Sequence, residues 1–152
     1  MIDLKLSTKG RYGVTAMFDL AVRYGQGPIS IKEISERQFI SEPYLEQLFA
    51  SLRKAGLISS IRGAQGGYIL AYHPEDIKVG DIIRVLEGPI APTDCVNEDD
   101  SFLCEKSNIC VTRDIWLKLR DSINDVIDEI SLADMVDNYE KKLNNKAYMY
   151  YI

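Results

Sequence analysis

The chain of 152 residues, 46% hydrophobic and 27% charged, is long enough to bury one core, and we expect a single domain with one projecting element. The opening MIDLKLSTKG holds no signal-peptide core, and no uncharged apolar run is long enough to cross a bilayer, so we expect a cytoplasmic protein without membrane contact. The formal net charge of -5 argues against binding of nucleic acid, but the charge is distributed unevenly along the chain. Residues 1–70 carry 9 basic and 6 acidic side chains (+3), whereas residues 71–152 carry 9 basic and 17 acidic side chains (-8). The N-terminal half is therefore the candidate for contact with a polyanion.

Three helices are predicted in the first third of the chain. Apolar residues spaced three and four apart predict a helix over Thr8–Tyr24, which two glycines and a proline end. Ser30 and Glu33 form a capping box, which predicts a short helix to about Gln38. A turn follows, and the next helix is predicted over Ser41–Ala55. Two short helices joined by a turn form a helix-turn-helix pattern.

The third helix has an apolar stripe and a polar face. Its apolar stripe consists of Leu45, Leu48, Phe49 and Leu52. With the stripe inward, helical spacing turns outward Glu42, Pro43, Glu46, Gln47, Ala50, Arg53 and Lys54. Glutamine can pair with adenine and glutamate can accept from cytosine, so the start of the helix, Tyr44 included, is expected to contact bases. The cations at its end are expected to reach phosphates.

The segment LISSIRGAQGGYIL, residues 57–70, predicts a β-hairpin. Two strand-like apolar runs flank Arg62, which is followed by three glycines within five residues. Glycine tolerates strained backbone and allows a close approach to a phosphate chain. A helix-turn-helix followed by a glycine-rich hairpin that carries a cation indicates a winged helix.

The C-terminal half contains a further short helix, a loop and a long amphipathic helix. The short helix is predicted over Val79–Glu87, and residues 91–107 have too little periodicity for regular structure. Apolar residues form a stripe over Thr112–Ile130, outside the winged domain, and a second copy of the chain is the simplest partner for this stripe. Ser131 and Asp134 are expected to cap a last helix to about Leu143, after which the apolar tail KAYMYYI docks at a place that the sequence does not specify. We therefore divide the chain into residues 1–90, 91–111 and 112–152.

Three cysteines, Cys95, Cys104 and Cys110, lie within sixteen residues and nowhere else. An odd number of clustered thiols in a reducing compartment indicates a metal or a redox function rather than a disulfide framework. Zinc and a thiol switch both remain open. The neighbouring acids are expected to raise the pKa of the thiols, which disfavours a redox switch.

Four segments together resemble a known family. They are STKGRYGVTAMFDLA, ISEPYLEQLFASLRKAGLISSIRGAQGGYIL, VGDIIRVLEGPI and the cysteine loop with the long helix after it, which together cover nearly the whole chain. The chain resembles the bacterial IscR- and CymR-type winged-helix regulators of the Rrf-two family. The resemblance implies a homodimer that is mainly α, with a small β-hairpin wing and a long C-terminal dimerisation helix.

The resemblance also implies which residues meet DNA. Pro43, Glu46 and Gln47 fall where the recognition helix of the family reads bases, and Arg62 falls where its wing enters the minor groove. The full set expected at a double-stranded DNA operator is Lys9, Arg11, Ser41, Pro43, Tyr44, Glu46, Gln47, Arg53, Arg62, Gly63 and Gly66.

The cysteines fall on the ligands of an iron-sulfur cluster, for which the resemblance implies two irons, as in the IscR branch, in preference to the four of the nitric-oxide-sensing branch. The gap between the first two cysteines is longer than the IscR spacing. Arg113 stands where the IscR pattern has a histidine, and arginine cannot be deprotonated to bind a metal. The fourth ligand is therefore open, and the candidates are Glu105, Asp114 and an N-terminal carboxylate such as Asp3 of a second subunit.

Two regulatory hypotheses follow. In the first, a cluster modulates DNA binding by a repressor of genes for iron-sulfur cluster biogenesis or for cysteine and sulfur metabolism. In the second, suggested by the CymR-like VGDIIRVLEGPI and YMYYI, the repressor has no cluster and responds to a protein partner, a cysteine-biosynthetic enzyme. An enzymatic function is disfavoured because the sequence has one histidine, His73, and no CxxC or His-Glu metal motif.

Overall fold

The computed structural model describes residues 5–97 and 105–150, which form six α-helices and one two-stranded antiparallel hairpin. In chain order the elements are α1 (Thr8–Val22), α2 (Ile31–Gln38), α3 (Glu42–Lys54), β1 (Ile58–Ile61), β2 (Gly67–Leu70), α4 (Val79–Glu87), α5 (Val111–Glu129) and α6 (Leu132–Tyr150). Single 3-10 turns occur at Pro74–Asp76 and Asp94–Val96. The predicted fold class, mainly α with a small hairpin wing, is confirmed.

Hydrogen bonds of local side chains determine where several helices begin. At α2 the backbone N–H of Glu33 donates to Ser30 Oγ (3.2 Å) while its carboxylate accepts from the backbone N–H of Ser30 (2.8 Å), so the predicted capping box is confirmed. Ser41 caps α3 by accepting from the backbone N–H of Tyr44 at 3.4 Å. Ser131 and Asp134 form a second reciprocal box at α6, as predicted.

The core lies where α1, α2, α3 and α4 meet the hairpin and the start of α6. The apolar stripe predicted for α3 is confirmed, since all four of its residues are fully buried. They pack with residues from the other elements, among them Met17, Ile34, Ile58, Ile82 and Leu132. This packing leaves the opposite side of α3 facing solvent.

The hairpin is joined to the helical body by one additional backbone bridge. β1 and β2 pair in the register Ile58↔Leu70 to Ile61↔Gly67. Ile29, just before α2, exchanges hydrogen bonds of 3.0 and 2.8 Å with Tyr68. The bridge holds the base of the hairpin beside the helix-turn-helix.

Several predicted boundaries were wrong. α1 ends at Val22 instead of Tyr24, because its last turn tightens into i→i+3 bonds that lead to Gly25, where φ is 85°. The long helix spans Val111–Glu129, shifted by one residue from the predicted 112–130. The last helix extends to Tyr150, seven residues beyond Leu143, since KKLNNKAYMY contains good helix formers and neither glycine nor proline.

The region predicted as a loop is not wholly irregular. Asp94–Val96 forms a 3-10 turn whose Val96 is buried. Residues 98–104, which include Cys104, lie outside the described residues. Within the described ranges, every helix is too short or too polar to cross a membrane.

Candidate nucleic-acid interface and cysteine segment

The exposed face of α3 presents the polar residues that were predicted for it. Pro43, Glu46, Gln47 and Arg53 are exposed, as are Glu42, Ala50 and Lys54. A helix of 13 residues is about 20 Å long, which is sufficient to lie along a major groove. The small Ala50 in the middle of this face leaves room for the helix to approach a base-pair edge.

Tyr44 is placed differently from its neighbours on α3. Its ring is partly buried and packs edge-to-face against Tyr12 of α1, with centroids 5.8 Å apart. Its hydroxyl lies 3.4 Å from Thr8 Oγ1. Tyr44 therefore links the start of α1 to the start of α3.

The first turn of α1 carries two of the residues predicted to contact DNA. Lys9 and Arg11 are both exposed, and the Arg11 guanidinium lies 5.9 Å from the ring centroid of Tyr12. α1 lacks a side-chain cap of its own, and Glu87 at the end of α4 supplies one, accepting from the backbone N–H groups of Ser7 (2.8 Å) and Gly10 (3.3 Å). A carboxylate at this end also interacts favourably with the helix dipole. These contacts fix the turn that presents the two cations.

The hairpin places Arg62 at an exposed tip built from glycines. Gly63 has φ of 122°, and its carbonyl accepts from the backbone N–H of Gly66 at 3.0 Å. A Cβ atom on Gly66 would lie 2.2 Å from the carbonyl oxygen of Ile61. The tight turn therefore requires glycine at these positions, and it leaves Arg62 projecting from the body of the domain.

The wing is connected to the far end of α3. Arg53 Nη1 donates to Ser60 Oγ of β1 at 3.5 Å, so Arg53 links α3 to the hairpin. The start of α1 thus flanks one end of α3 and the wing flanks the other. Together they form the α1–α3–wing surface, defined by the exposed residues Lys9, Arg11, Pro43, Glu46, Gln47, Arg53, Lys54 and Arg62.

A buried ionic cluster that sequence reasoning missed supports the helix-turn-helix. Asp19 of α1 is fully buried and accepts from Arg37 Nε (3.0 Å), Arg37 Nη2 (2.8 Å) and Gln38 Nε2 (2.9 Å) at the end of α2. Arg23 adds an ion pair at 3.4 Å. The available signal was a carboxylate inside the apolar run AMFDLAV. Glu87 was also missed, because no local pattern pairs residues eighty positions apart.

The two described cysteines lie in different local settings. Cys95 is in the 3-10 turn, where its Sγ is 3.1 Å from Thr93 Oγ1. Cys110 is the N-cap residue of α5, with its Sγ 3.1 Å from Thr112 Oγ1. Both are free thiols.

The pKa of Cys110 is lowered, so the expectation of raised thiol pKa values is wrong for this residue, although the nearby acid Asp114 does act to raise it. Hydrogen bonds from the Thr112 hydroxyl and from the backbone N–H of Arg113 lower the pKa of Cys110, and they outweigh the opposing charge of Asp114. Cysteine binds metals and reacts with electrophiles as the thiolate, so a lowered pKa at this helix N-terminus favours both.

The described residues do not assemble a complete metal site. Within residues 5–97 and 105–150, no three His, Cys, Asp or Glu side chains are grouped so that they could hold an ion. The predicted ligand Cys104 and the candidate Asp3 lie outside those ranges. Glu105 and Asp114 are both exposed, and neither belongs to such a group.

The segment that carries Cys95 is attached to α5. Arg120 Nη1 donates to the carbonyl oxygen of Val96 at 2.9 Å. Further along, Arg84 of α4 pairs with Asp128 at 2.7 and 2.8 Å and donates to Asn124 at 2.6 Å. One side of α5 therefore packs on α4 and on the cysteine segment.

The other side of α5 is apolar and faces solvent. α5 lies wholly within the described residues, and none of its 19 residues is buried. Val111, Ile115, Leu119 and Val126, spaced by four, four and seven residues, are between 36% and 77% exposed. This spacing is typical of a helix that packs against another helix.

The comparisons with known proteins agree with this geometry. A model of the Rrf2 family, described as an iron-dependent transcriptional regulator, matches residues 6–138. The HTH-type transcriptional regulator CymR of Bacillus subtilis (strain 168) is 44% identical over 149 residues, which cover 98% of this chain and all of that protein.

Two solved structures are similar over most of their length. The CymR structure, titled the global cysteine regulator of B. subtilis, superposes with a TM-score of 0.76 and 48% identity, covering 90% of this chain and 98% of that one. The IscR structure of T. potens superposes with a TM-score of 0.75 and 57% identity, covering 91% and 90%. The relatives are named as transcriptional regulators, which confirms the prediction of a regulator in preference to an enzyme.

Proposed function

The chain belongs to the Rrf2 family of transcriptional regulators, and we propose that it is a dimeric regulator, acting in the cytoplasm, that binds a DNA operator through α3 and the wing. The observation that carries this proposal is the α1–α3–wing surface. A helix with exposed Glu46 and Gln47 provides groups that discriminate between bases, and exposed cations lie at both of its ends. Repression of its target genes is the expected outcome of operator binding.

Each part of the surface contributes a different interaction. Gln47 and Glu46 hydrogen-bond base edges in the major groove, and Pro43 packs beside them. Lys9, Arg11 and Arg53 neutralise phosphates, which contributes affinity without sequence information. Arg62 enters the minor groove, where the glycines around it allow close approach.

The exposed apolar face of α5 supports a two-fold dimer. Two copies of this helix can bury Ile115, Leu119 and Val126 against each other, so that each copy fills the unpartnered face of the other. A two-fold dimer presents two α1–α3–wing surfaces to the half-sites of a palindrome.

For the cysteine segment, we propose an iron-sulfur cluster on Cys95, Cys104 and Cys110, with two irons in preference to four. The thiolate-favouring position of Cys110 and the resemblance to IscR support this assignment. The fit is incomplete among the described residues, which supply two thiols and no grouped fourth ligand. When bound, a cluster would make the conformation of the segment depend on iron and redox state. The contact from Arg120 to Val96 would transmit such a change to α5.

The second candidate signal is a protein partner with no cluster. The match to CymR, over 98% of this chain and all of that protein, favours it, and Arg113 stands where the IscR pattern has a metal ligand. In this hypothesis a cysteine-biosynthetic enzyme binds the dimer and changes its affinity for the operator, with genes of cysteine and sulfur metabolism as targets.

One experiment tests first the binding of DNA and then the nature of the regulatory signal. Duplexes selected from a random library by anaerobically purified wild-type protein define the operator, and iron and sulfide are measured on the same sample. Gln47→Ala is expected to weaken binding by about 1–3 kcal/mol at one base pair. Gln26→Ala, in the exposed turn after α1, is the matched control and should bind as the wild type does. Bound iron that is lost in Cys110→Ala supports the cluster, and iron-free protein after anaerobic reconstitution supports the protein partner.

A further inference from the structure

Phe39 has two unfavourable features at the turn between α2 and α3. Its φ and ψ are 57° and 40°, and among the described residues it is the one non-glycine residue with positive φ. Its side chain is 93% exposed, the highest value among the large hydrophobic residues described. Left-handed backbone is disfavoured for any residue with a Cβ atom, and an aromatic ring in water gains no burial energy.

The fold does not need an aromatic residue at this position. The turn is anchored by the next residue, Ile40, which is 4% exposed and belongs to the core. The backbone N–H of Phe39 bonds to the carbonyl of Ser35 at 2.9 Å, a contact that any residue other than proline could make. Glycine and asparagine adopt this conformation at lower cost. A strained and fully exposed aromatic residue therefore indicates a role outside the folded monomer.

Phe39 is continuous with the α1–α3–wing surface. It stands two residues before Ser41, the N-cap of α3, so the two Cα atoms are at most about 7.6 Å apart. The N-terminal end of a recognition helix is the end that approaches base edges. The ring of Phe39 thus borders the end of α3 that carries Pro43, Glu46 and Gln47.

We propose that Phe39 is a specificity-determining residue that packs on the methyl group of a thymine at the edge of the major groove, an inference that rests on the proposed entry of α3 into that groove. The thymine methyl is the one apolar group that base pairs display there. Burial of that methyl is expected to contribute about fourfold in affinity, the equivalent of one CH₂ group. An apolar contact tolerates small shifts in the distance between the ring and the methyl group. Phe39 therefore sets a preference for thymine, while the hydrogen bonds that identify bases come from α3.

The test combines one substitution in the protein with one in the DNA. Phe39→Gly removes the ring and relieves the left-handed strain, so it is expected to raise the melting temperature by about 2–4 °C. The same variant should bind the selected operator about fourfold more weakly for each half-site that it contacts. In the matching DNA test, each thymine of the operator is replaced in turn by uracil, which lacks the methyl. Wild-type binding should weaken by a similar factor at one position per half-site. The affinity of Phe39→Gly should not change when that position is replaced. Tyr72→Ala removes an exposed aromatic residue beyond the base of the wing and is the control.

The possible outcomes separate this inference from the proposed function. Equal affinity of wild type and Phe39→Gly for every duplex overturns the inference while DNA binding stands. A loss in Phe39→Gly that is the same on thymine and uracil duplexes overturns the thymine contact and assigns the ring to the sugar-phosphate backbone of the DNA. If the wild type selects no duplex at all, or if Gln47→Ala binds normally, the proposed function itself is wrong.

Discussion

The buried Asp19 cluster leads to a prediction about which partner of an ion pair is more costly to remove. The Asp19 side chain is 0% exposed, whereas the Arg37 side chain is 30% exposed and can turn toward water. In Arg37→Ala the buried carboxylate of Asp19 keeps only Gln38 and Arg23 as partners. In Asp19→Ala the guanidinium of Arg37 loses its partner but can be rehydrated. We therefore expect Arg37→Ala to be the more destabilising substitution.

The magnitudes follow from the burial. Removing one partner of a buried ion pair typically costs 3–5 kcal/mol, and the remaining contact with Arg23 at 3.4 Å places Arg37→Ala at about 3 kcal/mol. Asp19→Ala loses hydrogen bonds but strands no charge, so it should cost about 1–2 kcal/mol. In a domain of this size each kcal/mol corresponds to about 2–4 °C in melting temperature.

Urea unfolding followed by circular dichroism measures both variants and the double variant. The double variant should be more stable than the sum of the single losses predicts, because the stranded carboxylate is gone. Equal losses in the two single variants, or strict additivity, would refute the reasoning that the desolvated carboxylate dominates. Arg62→Ala, at the exposed tip of the wing, is the control for removing an arginine.

Three further predictions concern the cap of α2, the wing and α5. The hydrogen bonds from Ser30 lower the pKa of Glu33, so the contribution of its carboxylate to stability is complete above the ordinary glutamate pKa of about 4.3 and is lost as the pH falls through the lower folded-state pKa. Ser30→Ala should cost about 1 kcal/mol at pH 7 in urea titrations, and less once Glu33 is protonated, because the bond from the Ser30 hydroxyl to the carboxylate is then weaker while the bond from the Glu33 N–H to that hydroxyl remains. Gly67→Ala should displace the wing, since the added Cβ would lie 2.3 Å from the carbonyl oxygen of Ile29. The affinity for DNA should therefore fall while the far-ultraviolet circular dichroism spectrum is retained. A variant with wild-type affinity would contradict the proposal that the hairpin contacts DNA. Leu119→Asp should convert the dimer to a monomer in sedimentation velocity, with Asp121→Ala as the control, and an unchanged sedimentation coefficient would exclude α5 as the interface.

Local sequence patterns predicted most of the helix-turn-helix. The capping box at Ser30 and the four-residue stripe of α3 are short-range signals, and the structure contains both. The glycines after Arg62 predicted the wing for the same reason, because a tight turn imposes its requirement on neighbouring residues. The residues on the exposed face of α3 could be predicted because helical spacing places them opposite the buried stripe.

The contacts that the sequence did not reveal join distant residues or depend on backbone angles. Glu87 caps a helix whose N-cap lies eighty residues earlier. Asp19 can be buried because Arg37 of another helix neutralises it and, together with Gln38, satisfies its oxygens. The left-handed conformation of Phe39 is a property of the turn between two packed helices, so no spacing of residue types indicates it. The length of α6 was underestimated because its apolar end resembled a docking segment.

The central claim is that the α1–α3–wing surface binds duplex DNA, and the salt dependence of operator binding tests it most directly. Fluorescence anisotropy over a range of salt concentrations should give a linear decrease of log Kobs with log salt, with a slope of about -0.9 for each phosphate neutralised. Lys9→Ala should bind more weakly and reduce the steepness of that slope by about 1.8, the effect of one lost phosphate contact in each of the two protomers. Binding that is independent of salt, or a Lys9→Ala variant with the slope and affinity of the wild type, would contradict the account.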